Sequence, residues 1–261
     1  MKRYFAYVCA IVMLASPVFA DVTITATGSG KGLGMGATMQ TVTYIKGAKM
    51  RTEVITGDQI IATITDLDAQ KMIQINVKKK EAEVFDLAKM AAEVDKNVGT
   101  VVPKVTFAPN GQKKDIGGRS CVGYDLSITV PMAAGKDGPD DMRIVMSGPI
   151  WVAKDAPGTK DFAGFYKAAI EKGFTFNNPQ QAKAQPAQVK AYNEMYRSMI
   201  ATGGLMYGQD MSMKFEGGGP MAGIMGKIGG MSMSTTVTDV KVESLSDDLF
   251  TVPAGFKSKA K

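Results

Sequence analysis

The sequence predicts a mainly β fold of the α+β type, with one large antiparallel sheet and a few helices packed against it. Three observations lead there. Between residues 41 and 87, five strand-like runs follow one another with joins of only a few residues, too short for the crossover helix a parallel neighbour needs. Two later segments carry apolar residues at helical spacing. Strand-like runs then resume, so the helices interrupt a sheet and do not alternate with its strands.

Residues 22–25 open the series, followed by 41–45, 49–55, 60–66, 72–77 and 81–87. Ile73, Ile75 and Val77 alternate with Gln74 and Asn76, the period of a strand with one wet face. Lys46-Gly47 and Gly57-Asp58 supply turn chemistry, so consecutive strands should pair as antiparallel hairpins. A short helix is expected over residues 87–94, then strands over 105–108, 121–130 and 142–153. Pro149 has no N–H to give to a ladder, which predicts a bulge there or a place at the sheet edge.

Phe162, Phe165, Tyr166, Ala169 and Ile170 fall on one helical face, with Thr159 and Asp161 as candidate caps and Gly173 as a stop. Tyr192, Met195, Tyr196, Met199 and Ile200 repeat that spacing, with Pro186 near the start and Gly203 past the end. Charged Lys167, Glu171, Lys190, Glu194 and Arg197 lie elsewhere around the two helices, so each has one aromatic and Met face suited to packing on a sheet. Residues 177–181 and the Ala, Gln and Lys run after them read as an exposed linker. Strands return over 205–215 and 232–242 on either side of a Gly-rich connection.

The beginning of the chain indicates export. Lys2 and Arg3 precede an apolar stretch over residues 4–14, and Ser16-Pro17-Val18-Phe19-Ala20 ends in small residues suited to signal peptidase. Residues 1–20 thus read as a signal peptide and 21–261 as a single β-rich domain, periodic in its strands and placed in the periplasm or secreted. Losing Lys2 and Arg3 takes the formal charge from +6 to +4. That mild excess is scattered, and Lys78-Lys79-Lys80 stands beside Glu81 and Glu83, a solvated hairpin tip and not a nucleic-acid stripe. Cys9 leaves with the leader, so Cys121 has no partner for an internal disulfide and reads as a buried small apolar residue.

The chain has no His, which excludes Ser-His-Asp and Cys-His catalysis and His-containing zinc sites. Gly32-Leu33-Gly34-Met35-Gly36-Ala37 matches a dinucleotide fingerprint, but a strand follows where that motif needs a helix. Asp66-Leu67-Asp68 lacks the further oxygen ligands of a calcium loop and reads as a turn. No catalytic constellation is found, and the expectation is a protein that is not an enzyme.

The export signal, the antiparallel run, Ile150-Trp151-Val152-Ala153-Lys154-Asp155-Ala156-Pro157-Gly158 and a terminal strand ending Asp247-Asp248-Leu249-Phe250-Thr251-Val252-Pro253-Ala254-Gly255-Phe256 together resemble a secreted bacterial domain family of unknown function similar to the LolA/LolB lipoprotein-carrier fold group. The resemblance implies a strongly curved antiparallel sheet or incomplete barrel, with helices as a lid over a space for acyl chains or other apolar molecules. It carries over no catalytic residue and no cofactor.

The leading functional expectation is an exported binder of a hydrophobic or lipid-like ligand. Trp151, Phe165, Tyr166, Tyr192, Met195, Tyr196 and Met199 are the candidate lining, Met being flexible enough to follow an irregular acyl chain. The competing reading is that the same residues fill an ordinary core, which is what such residues more often do. The alternative is metal handling: 17 of the 19 Met remain after export, and Met211-Ser212-Met213 and Met231-Ser232-Met233 each put two thioethers on one strand face. If the two strands pair, four soft sulfurs converge, a ligand set suited to Cu(I); a Met pair at that spacing is also simply an apolar face. A third class is contact with a membrane surface or an envelope protein through Met221, Ile224, Met225 and Ile228 of the Gly-rich loop.

Overall fold

Two tight turns show how the first half of the chain folds. Gly47 and Gly57 take the left-handed conformation, at φ 55° and 58°, that two-residue hairpin loops require and that glycine adopts without strain. The computed structural model describes residues 21–31, 38–98, 102–131, 142–175, 179, 182, 185–217 and 230–261. The signal segment, the glycine-rich fingerprint at 32–37, most of the predicted linker and the Met221 to Ile228 loop lie outside the described residues.

The first six strands are β1 (Asp21–Lys31), β2 (Thr38–Lys46), β3 (Lys49–Thr56), β4 (Gln59–Asp66), β5 (Lys71–Asn76) and β6 (Glu81–Asp86). Helix α1 (Leu87–Val98) follows, then β7 (Lys104–Ile116), β8 (Arg119–Pro131) and β9 (Arg143–Ala153). Next come α2 (Thr159–Lys172), α3 (Pro186–Ala201), β10 (Leu205–Glu216), β11 (Met231–Glu243), a 3-10 turn (Asp247–Phe250) and β12 (Lys257–Ala260). All twelve strands form one curved, unclosed sheet in the order β12-β6-β5-β4-β3-β2-β1-β11-β10-β9-β8-β7. Every pairing is antiparallel except that of β12 with β6. Two meanders, β1 to β6 and β7 to β11, are joined where β11 pairs with β1. No helix of the described residues is long and apolar enough to cross a membrane.

Register sorts the side chains into clusters. Val22, Ile45, Met50, Thr65, Met72 and Phe85 are successive partners across β1 to β6, and all are buried on one face. Onto this row pack Met90 and Val94 of α1 and Phe165, Tyr166 and Ala169 of α2. The opposite face of β4 to β6 carries Ala62, Ile64, Ile75 and Ala82, covered by Leu245 and Phe250 of the C-terminal segment. That cover is tied down by polar contacts: the Leu245 N–H donates to Asp21 Oδ2 at 2.8 Å, and Arg51 Nη1 donates to the Leu249 carbonyl at 3.0 Å. A further cluster joins Leu126, Ile128, Ile144 and Ile150 of β8 and β9 to Ala187 and Ala191 of α3.

The structure differs from expectation in four places. The terminal phrase from Asp247 to Phe256 is not a strand but a 3-10 turn and loop, because its apolar residues cover a sheet face and do not join a ladder. Helix α1 runs four residues beyond the predicted stop. Helix α2 starts after left-handed Gly158 with no side-chain cap, and the Thr159 hydroxyl instead donates to the Ala156 carbonyl at 2.7 Å. Pro149 lies in an interior strand: its pairing to β8 continues through Asp125, while the ladder to β10 is interrupted between Ser147 and Ile150. Asp66 forms the expected turn, its Oδ1 accepting from the N–H groups of Asp68 and Ala69.

Candidate ligand-binding cavity

Helical period decides which residues of α3 look at the sheet. Pro186 occupies the first turn, where its missing N–H costs nothing, and left-handed Gly203 follows the last turn. Between them Gln188, Tyr192, Met195, Tyr196 and Met199 share one side. This side does not close onto the strands beneath it. It leaves a cavity of about 360 Å³, within the ~300–1,000 Å³ usual for small-molecule sites.

The sheet wall of the cavity alternates as strands must. Leu126 and Ile128 come from β8, Met146 and Ile150 from β9, Met206, Gln209 and Met211 from β10, and Met233 from β11. Six of the lining residues are methionines. No charged side chain is among the described residues that line it. Three of the polar groups, all neutral, are engaged with protein partners. Gln188, buried, donates through Nε2 to the Tyr192 hydroxyl at 3.1 Å and lies 4.0 Å from Met146 Sδ. Gln209 Nε2 donates to Thr235 Oγ1 at 3.4 Å, and the Thr175 hydroxyl donates to Asn193 Oδ1. Burial raises the Tyr192 phenol above its ordinary range, so it stays neutral.

Of the predicted lining residues, Tyr192, Met195, Tyr196 and Met199 border the cavity. Tyr166 lies one layer behind: its ring stacks on Tyr196 with centroids 4.0 Å apart and planes 22° apart. Phe165 meets the edge of Tyr166 and packs into the core beneath α2. Trp151 lies on the other face of β9. Its strand neighbour Ile150 pairs with Gln209 toward the cavity, whereas Trp151 pairs with Gly208 and Gly123 and packs in the main core. The two glycines leave room for the indole, since a Cβ on Gly123 would stand 3.0 Å from Trp151 Cζ3. Lys114 Nζ lies 5.4 Å from the ring centroid, and Trp151 Nε1 meets no acceptor among the described residues. Trp151 and Phe165 therefore support the fold and do not border the cavity.

The strands carrying the metal-candidate methionines do pair. Met211 stands opposite Met233 and Met213 opposite Met231, and all four share the cavity face. Met211 and Met233 line the cavity itself. Among the described residues no group of three or more His, Cys, Asp or Glu is arranged to hold a metal. Cys121 is fully buried, and burial raises its thiol above the ordinary range.

Sequence reasoning missed Gln188, Met146 and Met206. Gln188 precedes Tyr192 by four residues and so shares its face, a signal that was available, but a glutamine in that position looks solvated until the structure buries it. Met146 and Met206 needed the strand register, which no local pattern reveals.

No protein-family model matches the chain, and neither does any curated protein. Among solved structures, it is similar to PNGF-II at 12% identity and a TM-score of 0.35, over 93% of this chain and 31% of that one. The chain thus spans about a third of the length of that protein. It is also similar to a proposed outer membrane lipoprotein-sorting protein domain from Vibrio parahaemolyticus, at 8% identity and a TM-score of 0.31, over 88% of this chain and 89% of that one. A DUF1329 family protein from Desulfovibrio piger is similar at 10% identity and a TM-score of 0.31, over 89% of this chain and 90% of that one. The structural neighbours therefore include a lipoprotein-sorting domain and an uncharacterised domain.

Proposed function

We propose that the protein is a binding or carrier protein that takes up an apolar or lipid-like molecule, such as an acyl chain, in the cavity beneath α3. The carrying observation is the lining: six thioethers and two tyrosines with no charge among the described residues. An uncharged wall suits a hydrocarbon tail and leaves an ionic headgroup outside, because a charge buried there would lose its hydration without a partner. Methionine has three rotatable bonds and a polarizable sulfur, so the wall re-packs around chains of different shape where branched side chains would fix one. Gln188 and the Tyr192 hydroxyl form a neutral polar point against which a carbonyl or hydroxyl on the ligand could be oriented. Export through residues 1–20 would put this activity in the periplasm or outside the cell, with no enzymatic step.

Titration with a fluorescent fatty acid tests the reading. Saturable binding is expected, and Met195→Trp, which places an indole in the cavity from a partly exposed helix position, should weaken it at least about tenfold. Absence of saturable binding by the wild-type protein, or equal binding by the variant, would overturn it.

A further inference from the structure

The sheet face that bears the cavity also brings together a group of methionines whose arrangement does not depend on an apolar ligand being bound. Met146 of β9 is the direct partner of Met213 of β10, and Met213 is the direct partner of Met231 of β11. Three methionines thus make an unbroken row across three neighbouring strands. Met211 and Met233 form a second pair beside it on the same face. Strands stand about 4.8 Å apart and same-face residues in one strand about 7 Å apart, so all five Cα atoms fall within reach of a common centre for side chains of this length. Strand positions ordinarily favour β-branched and aromatic residues, and an unbranched flexible chain specifies packing poorly. Five adjacent positions filled by one such residue select sulfur over shape.

We propose that Met146, Met213 and Met231, with Met211 and Met233 in the next row, bind a soft monovalent metal ion, Cu(I). Thioethers are neutral, soft donors and suit that ion over Zn(II) or the hard cations. The surroundings agree. Met146 is buried, which shields the centre, while Met233 is 40% exposed and gives an ion in solution a way in. Cys121 belongs to a separate buried cluster and does not compete. Thioethers also carry no proton at any working pH, so binding releases none. Cu(I) should be held as firmly at about pH 5 as at about pH 7, unlike at a Cys or His site.

The test loads the purified protein with Cu(I) under reducing conditions and competes the ion away with a chromogenic Cu(I) chelator. Loss of an outer-shell group at a metal site already costs about 10–100-fold in affinity, so the double variant Met213→Leu, Met231→Leu should lose at least about 100-fold. Cys121→Ser and Met90→Leu, the latter in α1 and away from the five methionines, should hold Cu(I) as the wild type does. X-ray absorption at the copper edge of the loaded wild type should show a sulfur-only shell, a readout that stands even if the double variant fails to fold. Equal retention by wild type and double variant, no retention by the wild type, or a nitrogen and oxygen shell would each overturn the proposal. Met213 and Met231 do not border the cavity, so the same double variant should still bind the fluorescent fatty acid, and failure of the metal site is distinguishable from failure of the apolar-ligand reading.

Discussion

Tyr166 and Tyr196 show how single residues couple the core to the cavity. Tyr196 borders the cavity and Tyr166 stacks behind it from α2, so the wall on that side is an aromatic pair and not one ring. Burial, and then the neighbouring Tyr196, hold the Tyr166 phenol well above its ordinary range. The folded state therefore keeps this proton more tightly than the unfolded chain. The resulting stability is fully present below the unfolded value of about 10 and is lost as pH rises through the higher folded value. Tyr166→Phe should lower stability near neutral pH by about 1 kcal/mol, through loss of the hydroxyl contact with Tyr196, and should flatten the decline above about pH 10. Denaturant melts across alkaline pH check this: a decline as steep in the variant as in the wild type would assign the alkaline loss to other groups. Trp151 makes the complementary point. The contiguous apolar run Ile150-Trp151-Val152 has no alternation, since β9 is buried on both faces, and only its pairing with Gly123 and Gly208 shows which way the indole points.

Among the elements, α3 was the most legible and the sheet closure the least. The 3.6-residue period placed Tyr192, Met195, Tyr196 and Met199 on one side, and the structure puts that side over the cavity. The hairpins β2 to β6 were legible because glycine turns and short loops fix local register. The pairing of β1 with β11 was not, because partners such as Val22 and Val242 are far apart in the chain and no short pattern records that they meet. The Met211–Met233 and Met213–Met231 pairs were foreseeable only as a condition on β10 meeting β11, while Met146 enters through the β9 register alone. The turn from α3 into β10 shows how tightly an element boundary can be set. A Cβ on Gly204 would stand 2.5 Å from Val152 Cγ1 and 2.7 Å from the Ala153 carbonyl oxygen, and the backbone atom cannot give way cheaply. Gly204→Ala should cost about 1–3 kcal/mol in chemical denaturation. An unchanged midpoint would mean that β10 shifts freely against β9.

At the scale of the whole molecule, one twelve-stranded sheet carries two unlike covers. The β1 to β6 side is covered by α1, α2 and the C-terminal segment, over a main core that also takes Trp151, Leu205 and Tyr207 from β9 and β10. The β7 to β11 side carries α3 over a hollow with no charged side chain among the described residues that line it. Two other hollows are open troughs on strands. One mixes Thr52, Thr56, Thr63 and Gln74 with Met50, Val54 and Ile61, the other mixes serines of β9 to β11 with Lys31, Asp210, Met211 and Met233, and no helix residue among the described ones lines either. This division sets apart the structural half from the half proposed to bind, and it is open to a direct localisation experiment. The protein is irradiated with a photoactivatable fatty acid, digested, and the labelled peptides are sequenced by mass spectrometry. Label should concentrate on the Tyr192 to Met199 side of α3 and on β10 from Met206 to Met211, and excess unlabelled fatty acid should suppress it. Label confined to the β3 to β5 trough around Thr52 and Val54, or labelling that excess fatty acid does not reduce, would contradict binding beneath α3.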